Sequence, residues 1–144
     1  MQIRSSSLSL HLHMSIALQK NLWIFVAGHV VYGELDVVCK AKPESGITSF
    51  DWANVDNESG LPYDFTVTSA DCEVTYVEVK ATLSDHKACF EFSHRQLVFA
   101  GEHGARYHLY RVFCAGDPVR VRLVRVENLT KRLEERQLKL FMAI

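Results

Sequence analysis

Asp64, Glu78 and Lys80 are the residues of this chain whose types and spacing can do chemistry together. Asp64 opens a strictly alternating run, Asp64-Phe65-Thr66-Val67-Thr68. Glu78 and Lys80 stand two apart in a second apolar-alternating run, residues 74–81. On a strand, residues two apart share a face, so Glu78 and Lys80 point the same way. Hairpin pairing of the two runs brings Asp64 to that side as well. Two carboxylates held so make a hard oxygen site suited to Mg²⁺ or Mn²⁺. A lysine beside them can hold or polarise an attacking water, or neutralise charge on a scissile phosphate. Val77 and Val79 on the opposite face root the strand in the core and make the site rigid. The same residues also fit a plain surface ion pair of small energetic weight, because Glu-x-Lys on an exposed strand face is common.

The elements that must position these residues read as follows. Residues 14–31 are apolar without a clean period and suggest a helix; residues 33–39 suggest a further turn or two, with Leu35, Val38 and Cys39 on one side. Pro43 followed by Gly46 ends it. Residues 47–55 predict a first strand, with Phe50 and Trp52 in the core. Asp56-Asn57-Glu58-Ser59-Gly60 is a dense turn signal. Ser93 is a good helix cap before residues 94–100, with Gly101 and Gly104 closing the helix. Residues 106–113 and 119–126 predict strands, the second with a phase shift near Leu123 that indicates a bulge or burial on both faces. Residues 129–141 predict a terminal helix capped by Asn128 or Thr130. The order helix, three strands, helix, strand, strand, helix is that of an α/β domain with a mixed central sheet flanked by helices.

A chain of 144 residues, 48% hydrophobic and 23% charged, fits one ordinary domain and excludes a disordered one. Four widely spaced cysteines with no C-x-x-C pair exclude a zinc ribbon or a thioredoxin-type motif and read as small buried residues. The longest apolar stretch, residues 22–28, is far short of a membrane span, so no membrane contact is expected. Net charge is −1, but residues 1–104 hold seven Lys/Arg against thirteen Asp/Glu, and residues 105–144 nine against four. Arg106, Arg111, Arg120, Arg122, Arg125, Arg132 and Arg136 of the basic quarter can form a phosphate-facing surface, or a solvated face with helix ion pairs. His94 and Arg95, at the start of the second helix, can also meet phosphate. His11 and His13 have no acid nearby and carry no expected role.

Three segments resemble a known family. They are Glu58-Ser59-Gly60-Leu61-Pro62-Tyr63-Asp64-Phe65, Tyr76-Val77-Glu78-Val79-Lys80-Ala81-Thr82, and Phe90-Glu91-Phe92-Ser93 with Phe99-Ala100. In order and spacing they are similar to the C-terminal domain of plant NO VEIN proteins, also called DUF3883. The resemblance covers residues 32–144 and leaves residues 1–31 as a divergent segment, partly helical or disordered. It implies a restriction-endonuclease-like core of the PD-(D/E)xK type, with Asp64 as first acid, Glu78-Val79-Lys80 as the (D/E)xK element, and Glu34 of Gly33-Glu34 as a third metal carboxylate. The expected function is a Mg²⁺- or Mn²⁺-dependent nuclease acting on or binding nucleic acid, with catalytically inactive interaction module as the alternative. An intracellular, nuclear setting follows by the same resemblance, with a homodimer or the other domains of a parent protein as partners. The family's second helix carries a Glu where this chain has Gln96, a difference read as one of packing.

Overall fold

The computed structural model describes the backbone of residues 6–141 and the side chains of residues 22–141; His11, His13 and the start of the divergent segment lie outside these side chains. The elements are α1 (Ser6–Ala41), β1 (Ile47–Trp52), β2 (Phe65–Ser69), β3 (Val74–Ala81), α2 (His94–His103), β4 (Tyr107–Phe113), β5 (Arg122–Val126) and α3 (Leu129–Glu134). Five strands form one sheet in the order β1-β2-β3-β4-β5. β1, β2 and β3 form an antiparallel meander. β3 and β4 are parallel, with Lys80 beside Arg111, and β5 returns antiparallel to β4. A parallel pair needs a crossover, and the segment carrying α2 supplies it. The fold is therefore α/β with a mixed sheet flanked by helices, in the expected order.

The two faces of the sheet bury separate clusters. α1 covers the first, where Ala27, Val31 and Leu35 meet Trp52, Phe65, Val67, Val77, Tyr110 and Val112. α2 and α3 cover the second, where Ala100 and Leu129 meet Tyr107 and Leu109. The α1 contacts recur at helical spacing, and each large side chain so buried contributes roughly 1.5–3 kcal/mol. Alternation along β3 follows from this: Val77 packs on the α1 side and Tyr76 on the α2 side. Leu123 and Val126 go to opposite faces, so the phase shift in β5 is burial on both faces.

Several expected boundaries change. The N-terminal helix is continuous through Gly33, and Ala27 and Val31 belong to the core at 0% exposure. Packing outweighs the roughly 1 kcal/mol that a mid-helix glycine costs. Within that helix, Leu22–Ala41 is long and apolar enough to cross a membrane by length and composition, a stretch the sequence pattern alone set far shorter. Its inner side lies on the sheet, while Leu22, Ile24, Phe25, Tyr32 and Val37 are exposed. The last helix stops at Glu134, far short of residue 141. Of the four cysteines only Cys114 is buried; Cys72 and Cys89 are exposed.

Candidate functional site

The strands β2 and β3 part at Asp64, and that parting builds the site. Phe65 still pairs with Val77, and the Asp64 N–H donates to the Val77 carbonyl at 2.9 Å. One step further, the Val79 N–H has no main-chain acceptor on β2. The Asp64 side chain takes its place: Oδ2 accepts from Val79 N at 2.7 Å. Oδ1 accepts from Asn54 Nδ2, also at 2.7 Å, and Asn54 is itself fixed by accepting from Ser59 N. On the other side Tyr107, fully buried, donates its hydroxyl to the Pro62 carbonyl at 2.7 Å and so pins the chain two residues before Asp64. Burial pushes the Asp64 carboxyl above its ordinary range, against the hydrogen bonds from Val79 and Asn54 and the charge of Lys80.

Glu78 is 5% exposed on the α2 side of β3. Its Oε1 accepts from Gln96 Nε2 at 2.5 Å and pairs with Lys80 Nζ at 2.8 Å. Lys80 Nζ also donates to Gln96 Oε1 at 3.1 Å, and the ring of Phe92 lies 5.6 Å from it. Gln96 is held in turn by the start of α2. Ser93 caps the helix by accepting from Gln96 N, while Gln96 Oε1 accepts from Ser93 N. This reciprocal pair is a capping box, so one side chain both starts α2 and joins the site. Loss of solvent and then the negative charge of Asp64 push the Glu78 carboxyl up to about 8. At neutral pH, with no cation between the carboxylates, Glu78 is mostly protonated.

Asp64, Glu78 and Lys80 thus come together. Glu34 does not join them: it pairs with Arg125 across on β5 at 2.5 Å. Among the described residues no group of three His, Cys, Asp or Glu side chains converges. The seven C-terminal arginines do not form one exposed surface. Arg111 is 4% exposed beneath Phe90 and Phe113, so it does not face solvent. Arg120 and Arg122 are exposed, but each bonds to Asp85. His94 and Arg95 line a cleft of about 480 Å³ with Leu61, Pro62, Tyr63 and Phe99; Arg95 also donates to the Gly60 carbonyl. Asp64 opens onto another cleft of about 360 Å³, between Ile24, Phe25 and Gly28 of α1 and the turn carrying Asn54 and Glu58.

Three positioning residues escaped the sequence pattern: Asn54, Gln96 and Tyr107. The signal for Gln96 was present, since Ser93-x-x-Gln96 is a capping-box spacing. Asn54 and Tyr107 act through contacts 10 and 45 residues away, which no local pattern reports.

The family described as "Protein NO VEIN, C-terminal" matches residues 34–124. The chain belongs to this family. Two relatives from Arabidopsis thaliana, "Protein NO VEIN-LIKE" and "Protein NO VEIN", are each 34% identical over 91 residues, 63% of this chain. The chain spans only 14% of the first and 3% of the second. No solved structure matches. The matched stretch contains Asp64, Glu78, Lys80 and Gln96, together with Arg111 and Arg122.

Proposed function

We propose that the Asp64–Glu78–Lys80 site is a divalent-cation-dependent centre for hydrolysis of nucleic acid phosphodiesters, on a restriction-endonuclease-like core. One observation carries this reading: a half-buried carboxyl, Asp64, and a buried one, Glu78, lie close enough where two strands part for the first to raise the second, with a lysine bonded to Glu78. The donor set fits Mg²⁺ or Mn²⁺, because both groups are hard oxygen ligands and neither can be fully ionised cheaply without a cation beside it. The element order helix, three-strand meander, crossover helix and parallel strand supports the core assignment.

Asp64 and Glu78 would hold the cation. When bound, it supplies Lewis-acid stabilisation of phosphoryl oxygens and lowers the pKa of a water. Gln96 fixes the Glu78 carboxylate and the Lys80 ammonium at one separation, so little rearrangement is needed on substrate arrival. Lys80, 21% exposed at its side chain, is placed to hold a water or a non-bridging phosphate oxygen. Asn54 and the Val79 N–H keep the Asp64 carboxylate in one orientation.

A second reading has its own observation. Glu34 is spent on Arg125, and among the described residues no third ligand joins the two carboxyls. That favours a non-hydrolytic interaction module of a larger protein, in keeping with the small share of each relative that the chain spans. A cleavage assay on mixed DNA and RNA with Mn²⁺ separates the two. The hydrolytic reading expects cutting that is lost in Asp64→Asn and Lys80→Met; binding of Mn²⁺ without cutting would support the module.

A further inference from the structure

Arg111 is a buried cation whose hydrogen bonding is left half done. Its side chain is 4% exposed, and Nη2 donates to the Lys87 carbonyl at 2.8 Å. Nε and Nη1 are shut off from solvent and have no partner among the described residues. Leaving donors of a charged group unsatisfied is costly, and native structures rarely do so without a reason. Arg111 also has a defined address. It lies beside Lys80 in the β3–β4 ladder, on the α2 side of the sheet. Further along, Arg122 pairs with Phe113 in the β4–β5 ladder. Lys80, Arg111 and Arg122 therefore form a row of cations leading away from Glu78. Each lies over an aromatic ring: Phe92, Phe90 and Phe113 respectively.

The loop of residues 84–90 lies against the Arg111 and Arg122 end of the row. Three arginines tie it down. Arg111 donates to the Lys87 carbonyl, Arg122 to the Asp85 carbonyl at 3.0 Å, and Arg120 pairs with the Asp85 carboxylate at 3.1 Å. Two of these three acceptors are neutral carbonyls. A phosphate oxygen is a stronger acceptor for a guanidinium and matches its two-pronged edge.

We propose that Arg111 and Arg122 form a phosphate-binding site beside the Glu78–Lys80 centre, closed by the 84–90 loop, whose Lys87 and Asp85 carbonyls stand where phosphate oxygens bind once the loop lifts. The ligand is a phosphate of a nucleic acid strand lying along the cation row, which rests on the phosphodiester reading above. Nε and Nη1 of Arg111 are the unused donors, and Nη2, which shares a two-pronged edge with each of them, is freed when the Lys87 carbonyl leaves. Arg120 belongs to the closure, since its partner is the loop's own carboxylate.

The test is a titration with inorganic phosphate and with a short single-stranded oligonucleotide, in chelator without divalent cation. Failure of hydrolysis thus leaves the result standing. Wild type should bind both, in competition. Arg120→Ala, which frees the loop, should bind several-fold more tightly. Arg111→Met should lose roughly tenfold or more in affinity, while melting at the same temperature or higher, because an unsatisfied buried cation has been replaced by an apolar side chain of similar volume. Arg111→Lys, which keeps the charge and loses the fork, guards against a folding failure and should also bind more weakly. Phosphate binding unchanged in both Arg111 variants, or absent from wild type and Arg120→Ala alike, overturns the site. Binding of phosphate that the oligonucleotide does not displace overturns the strand assignment in favour of a free phosphate.

Discussion

At the scale of single residues, the Glu78 carboxyl sets the behaviour of the site. Its folded pKa, about 8, lies above its ordinary value of 4.5. Between these values the folded chain binds more protons than the unfolded chain, so stability falls as pH rises through that window. Burial raises Asp64 in the same direction. Cation-free protein should therefore melt at a lower temperature at pH 8.5 than at pH 5. Glu78→Gln, which cannot ionise, should remove most of that slope in thermal scans; an unchanged slope would place its origin elsewhere. Gln96 yields a second prediction. Gln96→Glu adds a third carboxylate against Glu78 and should tighten Mn²⁺ binding in calorimetry while destabilising the cation-free protein. The shared face of Glu78 and Lys80 was legible because strand parity alone sets it, whereas Asp64 stands just before β2 and its placement depends on where the strands part. The spacing of Gln96 shows the cap and hides the sheet beyond it. For Arg111, nothing local in the sequence reports that Phe90 and Phe113 close over it.

At the scale of elements, β3 was legible to the residue because alternation and turn signals agree at both ends. The N-terminal helix was not. It has no acid in its first turn, a mixed apolar face and a glycine at position 33, and its unity comes from Ala27, Val31 and Leu35 meeting the sheet. Its seating is close. A Cβ at Gly28 would lie 2.2 Å from the Trp52 ring, far inside contact distance. Gly28→Ala should force helix and sheet apart and lower stability by about 1–3 kcal/mol in denaturant titration. A variant as stable as wild type would show that Trp52 can swing aside. At the start of α2, Ser93→Ala breaks the capping box and should cost about 1 kcal/mol. It should also loosen Gln96, so cation affinity should fall along with stability. Loss of stability with unchanged affinity would mean that Gln96 holds the site without its cap.

At the scale of the whole molecule, the sheet divides two jobs. The α1 side is an apolar core, the α2 side carries Glu78 and the row Lys80, Arg111 and Arg122, and Asp64 sits where β2 and β3 part. The sequence pattern recovered the layer order, because hydrophobic period and turn chemistry are local. It could not recover the separation of Glu34 from Asp64, because that depends on where α1 crosses the sheet and on Arg125, 91 residues away. The central claim is that Asp64 and Glu78 form a cation site poised by a protonated Glu78. Cation binding must then expel that proton. Calorimetric titration with Mn²⁺ at pH 7, in buffers of different ionisation enthalpy, measures this directly. The account predicts release of about one proton per cation, falling towards zero above pH 8 and absent in Glu78→Gln. Binding without proton release at pH 7, or no binding by the wild type, would contradict it.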